Sequence, residues 1–297
     1  MKIRFALFAL TAVPILFAVS CGKDPDDPVF PDNPDKPKTE KSLEPEECDN
    51  NVVAHRCGAK ELGVPDNSIA ALKYAMSLHC YAVECDMYLT RDNRIIIHHG
   101  SAGKVNGMFP SEHTLDEIRA AGRLSNGEDI PTLEDFLDVV CVKGNCTRLW
   151  IETKNITNEE MTDAAQESAI VGGVSTAIRI ILEKEAEKFV EFNGTGRTSV
   201  FKQTYPYARS KGFNMSMATS SSASTMKSNG WHWSNYDVSS KTAAEISSIV
   251  ADYKKNSVWL SLYNIDSDDL RKAVKPHVSD VKGLMTNYPR ALLEALK

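Results

Sequence analysis

From residue 51 onward, short apolar runs alternate with longer stretches in which apolar residues recur every three or four positions. The short runs predict β-strands, and the longer stretches predict amphipathic helices. The predicted strands are 51–55, 82–88, 94–98, 149–153, 199–203, 214–218, 257–262 and 283–286. The predicted helices are 68–78, 115–121, 133–140, 162–192, 243–253 and 268–274. Asn67 or Ser68, and Thr132, stand where helices begin and are N-cap candidates.

Eight strands alternating with helices over 51–297 predict a single-domain (β/α)8 barrel, a TIM barrel of the α/β class, because this fold typically has about 250 residues. An open doubly wound sheet is the alternative, but no glycine-rich phosphate loop follows the first strand. Residues 219–235 are rich in serine and include Trp231 and Trp233. Their polarity predicts a long loop.

Residues 1–20 predict a signal peptide. Lys2 and Arg4 precede an apolar run, 5–19, which is too short to span a membrane. Residues 18–21 resemble a bacterial lipobox, so Cys21 is the predicted lipidation site; an ordinary secretory signal with an incidental cysteine is the alternative. No second apolar run of 18 or more residues follows, so we expect a lipid anchor rather than a transmembrane span.

Residues 21–50 predict a lipidated cysteine followed by an extended tether. They contain six of the 13 prolines, ten acidic residues and four lysines. Proline fixes φ and removes a backbone donor, so such a segment stays extended and solvated. The acidic residues just after Cys21 resemble the surface-export signal of some Bacteroidetes lipoproteins. We therefore expect an exported bacterial lipoprotein of the outer membrane, on its periplasmic or its surface face.

The charge of the predicted domain argues against a nucleic-acid partner. The formal net charge is −6, but residues 51–297 carry 28 basic and 30 acidic residues, which is close to neutral. A nucleic-acid surface needs a basic patch or stripe. No protein partner is implied either, so the expected partners are a small-molecule substrate and the membrane.

Six cysteines besides Cys21 permit disulfides in an exported protein. They are Cys48, Cys57, Cys80, Cys85, Cys141 and Cys146. Cys141 and Cys146 could close a local loop around Gly144, whereas the pairing of the other four cannot be derived from the sequence. A zinc site is the alternative, but the cysteines lack paired C-x2-C spacing.

Chemically active side chains lie at the ends of the first four predicted strands. They are His55 and Arg56, Glu84 and Asp86, His98 and His99, and Glu152 and Lys154. Residues i and i+2 of a strand share a face, and the carboxyl ends of barrel strands form the mouth where catalytic groups of this fold lie. We therefore expect these side chains to meet at one site.

The three carboxylates predict a metal site. Glu84, Asp86 and Glu152 would repel one another unless a cation lay among them. Carboxylate oxygens favour Ca²⁺ or Mg²⁺ over softer metals, so we expect one divalent cation of this kind. Arg56 and Lys154 would contact a phosphate, through a planar fork and a point charge respectively.

Two histidines complete the predicted chemistry. His55 and His98 can serve as general acid and general base near neutral pH. A metal and cations that hold an anion, together with two imidazoles that move protons, describe phosphoryl chemistry.

These motifs resemble the glycerophosphodiester phosphodiesterase family over most of 51–297. The family's His-Arg-Gly motif is similar to residues 55–58, and its Pro-Glu-Asn-Thr motif is similar to residues 65–68. Its Glu-x-Asp and His-Asp motifs are similar to residues 84–86 and 98–99. Four further segments follow in family order, namely 130–134, 152–154, 258–259 and 285–289. The resemblance implies a (β/α)8 barrel. It also implies that His55 and His98 form an acid–base pair and that Glu84, Asp86 and Glu152 are metal ligands. By the same resemblance, Arg56 and Lys154 would contact the phosphate, and Trp259 would form a wall of the substrate pocket.

The sequence departs from the family pattern at four positions. Cys57 stands where the family has glycine, Asp66 replaces a glutamate, and His99 and Asn287 each replace an aspartate. None of these changes removes a predicted ligand or either acid–base histidine.

The sequence thus predicts metal-dependent hydrolysis of glycerophosphodiesters to an alcohol and glycerol phosphate. A phospholipase-like barrel that acts on intact lipid head groups is one alternative, and it would need an exposed apolar patch near the mouth, for which Trp231 and Trp233 are candidates. The other alternative is a non-catalytic surface lipoprotein that binds a glycan or a phospho-ligand. The three carboxylates and two histidines argue against that alternative.

Overall fold

The structure is a computed structural model that describes residues 43–154 and 161–297. The predicted signal peptide, Cys21 and most of the predicted tether therefore lie outside the described residues. Within the described residues, no helix has the length and apolar character needed to cross a membrane.

The described chain alternates strands and helices. The strands are β1 Val52–Ala54, β2 Ala82–Leu89, β3 Ile95–Ile97, β4 Arg148–Thr153, β5 Val190–Gly194, β6 Met215–Ala218, β7 Trp233–Asp237, β8 Trp259–Tyr263 and β9 Gly283–Thr286. The α-helices are α1 Ala59–Leu62, α2 Ile69–Ser77, α3 Leu115–Ala121, α4 Leu133–Val140, α5 Asp163–Glu183, α6 Thr198–Ser210, α7 Ala223–Ser228, α8 Ala243–Asn256, α9 Asp268–Val274 and α10 Pro289–Leu296.

Eight parallel strands close into a barrel, which confirms the single-domain (β/α)8 fold. The ring order is β1, β2, β4, β5, β6, β7, β8 and β9, and β9 pairs with β1 to close the ring. Ser68 and Thr132 are the N-caps of α2 and α4, where each side chain accepts a backbone N–H. These contacts satisfy donors that a helix start leaves unpaired.

Strand β3 lies outside the barrel. It pairs antiparallel with the end of β2, from Met87 to Leu89. The predicted strand 94–98 therefore exists, but the expectation that it is a barrel strand is wrong. The resulting hairpin delivers His98 to the mouth, where its backbone N–H donates to Asp86 O at 2.9 Å.

The fourth barrel strand is β5, which lies inside the predicted helix 162–192. The predicted strand 199–203 is wrong, because those residues belong to α6. After α5 the chain reverses at Glu185, which has a left-handed φ of 54°. The β-branched and aromatic residues at 198–201 favour a strand locally. Burial of Val200, Phe201 and Thr204 on one helix face outweighs that preference.

The predicted loop 219–235 is also wrong, since it contains α7 and the start of β7. The polar residues at its end are buried because the inner face of the barrel is partly polar. Ser234 and Asn235 are both buried, and Trp233 Nε1 donates to Ser261 Oγ at 2.8 Å. Polarity therefore does not exclude a strand at this position.

One disulfide is present in the described residues, between Cys48 and Cys146. The local closure that the spacing of Cys141 and Cys146 permitted does not form, and Cys141 has a free thiol. The side chain of Asn145 closes that loop instead, because its Nδ2 donates to the carbonyls of Val140 and Thr147. The disulfide joins the segment before β1 to the segment before β4.

Aromatic rings close the N-terminal end of the barrel. Trp150 and Trp233 pack edge-on inside it, with ring centroids 4.8 Å apart. Lys282 Nζ lies 2.9 Å from Glu191 Oε1 and 4.8 Å from the ring centre of Trp259. The opposite, C-terminal end is the mouth.

Gly283 lies against Trp150, so its substitution tests how tightly the aromatic rings are packed at this end of the barrel. A Cβ at Gly283 would overlap the ring of Trp150 and approach Val53 Cγ2 to 3.0 Å. We expect Gly283→Ala to lower the free energy of unfolding by about 1–3 kcal/mol, the usual effect of overpacking. In α5, a Cβ at Gly173 would lie 3.7 Å from Leu89 Cβ, which is ordinary contact.

The matched control, Gly173→Ala, should raise the free energy of unfolding by about 0.5–1 kcal/mol through helix propensity. Urea unfolding measures both variants. Equal effects from the two substitutions would contradict the packing argument.

Candidate active site

A left-handed turn after β1 places His55 and Arg56 at the mouth. Arg56 and Cys57 have φ values of 48° and 65°, a conformation that costs an L-residue about 1–2 kcal/mol. The Arg56 backbone N–H donates to Glu84 Oε2 at 3.0 Å. Cys57 is buried, and its burial raises the pKa of the thiol well above its ordinary value, so the thiol is neutral. The turn therefore directs a backbone donor at a carboxylate.

The three predicted carboxylates do converge at the mouth. Glu84 and Asp86 project from β2, and Glu152 projects from the neighbouring strand β4, where it is the register partner of Asp86. One oxygen of each carboxylate lies within 4.8 Å of the others. The i, i+2 spacing on β2 and the parallel pairing with β4 together produce this cluster.

The electrostatics of the cluster suit a hard cation. Burial, and then the charges of Asp86 and Glu152, raise the pKa of Glu84 well above its ordinary value. Burial and the charge of Asp86 also raise the pKa of Glu152. Among the described residues, Glu84 Oε1 is a buried oxygen that accepts no hydrogen bond, and Asp86 Oδ1 is approached by a lysine ammonium. Because buried acceptors are normally satisfied, the carboxylate set fits a divalent ion bound by oxygen.

Two cationic side chains lie beside the carboxylates, as predicted. Lys154 Nζ is 3.3 Å from Asp86 Oδ1 and 3.6 Å from Glu152 Oε1. Burial opposes the charge of Lys154, but Glu152 and Asp86 outweigh it and raise the pKa of the ammonium. Arg56 Nη1 is 2.9 Å from Asp66 Oδ2, and Arg56 Nε is 4.0 Å from Asp86 Oδ2. Both cations can therefore contact an anion bound at the cluster.

Asn67 belongs to the site, although the sequence indicated it only as an N-cap candidate. Its Nδ2 donates to Asp86 Oδ2 at 2.8 Å, and its Oδ1 accepts from the Asp86 backbone at 3.3 Å. Burial opposes the charge of Asp86, but Lys154, His99 and Asn67 outweigh it and lower the pKa of Asp86. The signal in the sequence was the turn motif 65–68 ahead of α2, which the resemblance covered without giving Asn67 a role.

His55 is held by a chain of two further side chains. Its Nδ1 lies 2.9 Å from Asn287 Oδ1, and Asn287 Nδ2 donates to Asp266 Oδ2 at 2.5 Å. His55 Nε2 lies 3.8 Å from Glu84 Oε2. Burial and then the charge of Arg56 lower the pKa of His55. The sequence indicated Asn287 only as a departure from the family pattern, and it contained no signal for Asp266.

His98 is held by its own loop. Its Nδ1 accepts the backbone N–H of Gly100 at 2.8 Å. Burial lowers the pKa of His98, and the neighbouring charge of His99 lowers it further. His99 Nδ1 lies 3.0 Å from Gly100 O, so the two rings have different partners. The charge of Asp86 acts to raise the pKa of both predicted acid–base histidines, of which one follows β1 and the other follows β3.

Trp259 does not lie at the mouth. It is the first residue of β8, is paired with Trp233 at the start of β7, and contacts His232 with ring centroids 5.2 Å apart. Its side chain is 46% exposed at the N-terminal end of the barrel, so it cannot wall a pocket at the mouth. The expectation failed because the sequence identified the strand but not which of its ends carried the aromatic residue.

The aromatic residue that β8 places at the mouth is Tyr263. Its Cα pairs with that of Asp237 at the end of β7. Burial and the charges of Asp237 and Glu152 raise the pKa of Tyr263 to about 12. Trp231 and Trp233 form no exposed patch, because they are only 9% and 0% exposed. The apolar surface that the phospholipase alternative required of them is therefore not present.

The chain matches known proteins in sequence. Residues 55–291 match the model of the glycerophosphoryl diester phosphodiesterase family. A glycerophosphodiester phosphodiesterase from Caldanaerobacter subterraneus subsp. tengcongensis is 36% identical over 98 residues. That match covers 30% of this chain and 40% of the relative, so it spans less than half of the relative's length.

Solved structures share the fold. A glycerophosphodiester phosphodiesterase from Parabacteroides distasonis superposes with a TM-score of 0.68 at 21% identity, covering 84% of this chain and 98% of that one. A phosphodiesterase from Oleispira antarctica, in complex with the product sn-glycerol-3-phosphate, has a TM-score of 0.63 at 18% identity, covering 83% and 96%. At these identities the likeness supports the barrel fold alone.

A metal titration tests the carboxylate cluster. We expect Ca²⁺ or Mg²⁺, added after chelation, to raise the melting temperature, because an ion at 100 times its Kd stabilises the folded state by about 2.7 kcal/mol. Glu152→Gln should abolish that shift. Without the ion the variant should be no less stable than the wild type, because one repelling charge is gone.

Differential scanning fluorimetry measures the shift. Glu183→Gln is the matched control, since Glu183 lies at the end of α5 and pairs with Arg179 on the surface. The control should keep the full shift. An equal shift in Glu152→Gln, or none in the wild type, would show that the ion does not bind here.

Proposed function

The chain belongs to the glycerophosphoryl diester phosphodiesterase family and is a phosphodiesterase, and from this premise we propose that it hydrolyses glycerophosphodiesters with a divalent cation and two histidines. The products would be an alcohol and glycerol phosphate. The sn-glycerol-3-phosphate complex of the Oleispira antarctica phosphodiesterase supports this product by analogy.

One observation carries the proposal. Buried Glu84 Oε1 has no hydrogen-bond donor in the described part of the chain, and Asp86 Oδ1 is approached by the Lys154 ammonium at 3.3 Å. Arg56 and His55 lie beside the other oxygens of these two carboxylates. A divalent ion held by Glu84, Asp86 and Glu152 would offset the charge on the phosphoryl oxygens. Arg56 and Lys154 would add hydrogen bonds to the same oxygens.

The contacts of His55 support its role as the general base. Asn287 Nδ2 donates to Asp266, so its Oδ1 faces His55 and can only accept. The proton of neutral His55 is therefore on Nδ1, and Nε2 has the free lone pair. Burial, which lowers the pKa of His55, favours this neutral form.

The contacts of His98 support the opposite role. The Gly100 backbone N–H donates to His98 Nδ1, which must then have the lone pair. The proton of neutral His98 is on Nε2, where it can be given to a leaving group. At the start of the reaction, His55 Nε2 can therefore accept a proton, and His98 Nε2 can donate one.

The reaction would proceed in two steps. A glycerol hydroxyl oxygen of the substrate attacks its own phosphorus, and His55 Nε2 takes the hydroxyl proton. The bond from phosphorus to the alcohol oxygen breaks, and His98 Nε2 protonates that oxygen. Water then opens the resulting cyclic phosphate with the roles reversed, so that His98 takes a proton from water and His55 returns one to the ring oxygen.

Release of glycerol phosphate from a panel of deacylated phospholipids tests the proposal. We expect turnover with Ca²⁺ or Mg²⁺ and none after chelation. His55→Ala and His98→Ala should each lower kcat by about 10²- to 10⁴-fold, the usual contribution of a positioned proton transfer. His99→Ala should lower kcat far less, because His99 Nδ1 lies against the Gly100 carbonyl oxygen and the residue has no proton-transfer role in this scheme.

His113→Ala is the matched control, since His113 Nδ1 lies near Phe109 O ahead of α3. It should keep turnover near the wild-type value. Near-normal turnover in either His55→Ala or His98→Ala would eliminate the two-histidine mechanism, and turnover that resists chelation would eliminate the metal.

We further propose that the protein is an exported lipoprotein. The lipobox-like residues 18–21 lie outside the described residues and support this from sequence alone. The Cys48–Cys146 disulfide adds support, because such bonds persist in oxidising compartments outside the cytosol. The lipid would place the barrel at a membrane surface.

Mass spectrometry of the protein from a bacterial membrane fraction tests the anchor. We expect the chain to begin at Cys21 with acyl groups attached and to partition into detergent, because several acyl chains together give stable anchoring. Cys21→Ala should be released or left uncleaved. An unmodified N-terminus at another residue would eliminate the lipobox.

A further inference from the structure

We propose that Asp266 is a positioning residue that sets the tautomer of His55 by holding the Asn287 side-chain amide in one orientation. The proposal rests on the proposed function, in which His55 Nε2 accepts a proton. Asp266 lies between β8 and α9, and Asn287 directly follows β9. The loop after β8 and the loop after β9 therefore meet beside the imidazole of His55.

The contacts of Asp266 leave the amide one arrangement. Its Oδ1 accepts the Asn287 backbone N–H at 2.9 Å, and its Oδ2 accepts Asn287 Nδ2 at 2.5 Å. A carboxylate can only accept, so the amide nitrogen must face Asp266. The amide oxygen then faces His55 Nδ1, at 2.9 Å.

The orientation of the amide decides where the histidine proton lies. An amide has two orientations of nearly the same shape, and asparagine alone does not favour either. With the amide reversed, its NH₂ would face His55 Nδ1, and the imidazole proton would move to Nε2. A protonated Nε2 cannot take the substrate proton. Asp266 therefore acts on the reaction through Asn287, without touching the substrate.

A single substitution can reverse this arrangement. In Asp266→Asn, the Asn287 backbone N–H still requires an oxygen, so the new side chain turns its NH₂ toward the Asn287 side chain. Asn287 then reverses and presents its own NH₂ to His55. We expect the His55 proton to move from Nδ1 to Nε2.

A second substitution should restore the original state. In the double variant Asp266→Asn/Asn287→Asp, a carboxylate again accepts from His55 Nδ1, and the new amide donates to that carboxylate. A purely structural role for Asp266 would not predict that exchanging the two residues restores function.

Two readouts follow the exchange. Nitrogen-15 NMR of the imidazole, assigned with His55→Ala, should show the His55 proton on Nδ1 in the wild type, on Nε2 in Asp266→Asn and on Nδ1 in the double variant. In Asp266→Asn, kcat for glycerophosphodiester hydrolysis should fall by about 10²- to 10⁴-fold, with KM near the wild-type value. It should recover in the double variant.

Two further variants keep the test decisive. Asp269→Asn removes an exposed carboxylate in the first turn of α9 and should change neither readout. Asp266→Ala removes the acceptor without adding a donor, so both tautomers should appear even if Asp266→Asn does not fold. Thermal unfolding reports whether each variant is folded.

Retention of the Nδ1 proton in folded Asp266→Asn or Asp266→Ala would overturn the proposal. So would a double variant that regains the Nδ1 proton but not kcat. Failure of the proposed function would look different, because the wild type would then release no glycerol phosphate while the NMR result for His55 would stand.

Discussion

The mutual repulsion of three carboxylates in the barrel mouth is the constraint on which the rest of the site depends. Glu84, Asp86 and Glu152 lie too close together to be stable as bare charges. The chain offsets part of this cost with the amide of Asn67 and the ammonium of Lys154. Glu84 Oε1 still has no hydrogen-bond donor among the described residues, so the carboxylate set fits a divalent cation.

The barrel separates the groups that stabilise it from the groups that carry the chemistry. At the N-terminal end, Trp150 and Trp233 pack against each other, and Lys282 pairs with Glu191. At the mouth, the turn after β1 adopts an unfavourable conformation at Cys57. A rigid, well-packed end allows the other end to hold strained and charged groups, as in other barrels of this type.

His55 and His98 are both positioned by segments that lie outside the barrel strands. His98 reaches the mouth on a hairpin, β3, that is not part of the ring. His55 depends on Asn287 and Asp266, which come from the last two strand ends. In each of these two rings, Nδ1 has a defined partner, which is Asn287 for His55 and Gly100 for His98.

The sequence by itself determined the barrel class, the bounds of α3, α4 and α9, and the strand-end groups such as Glu84 and Asp86, because helix periodicity and i, i+2 spacing are local. Only the tertiary structure decided that β5 begins at 190, because strand propensity depends on what the other elements cover. It likewise decided that Tyr263, and not Trp259, is the aromatic residue at the mouth end of β8. His55 meets Asn287 across 232 positions of sequence, and a contact of that kind leaves no local pattern to read.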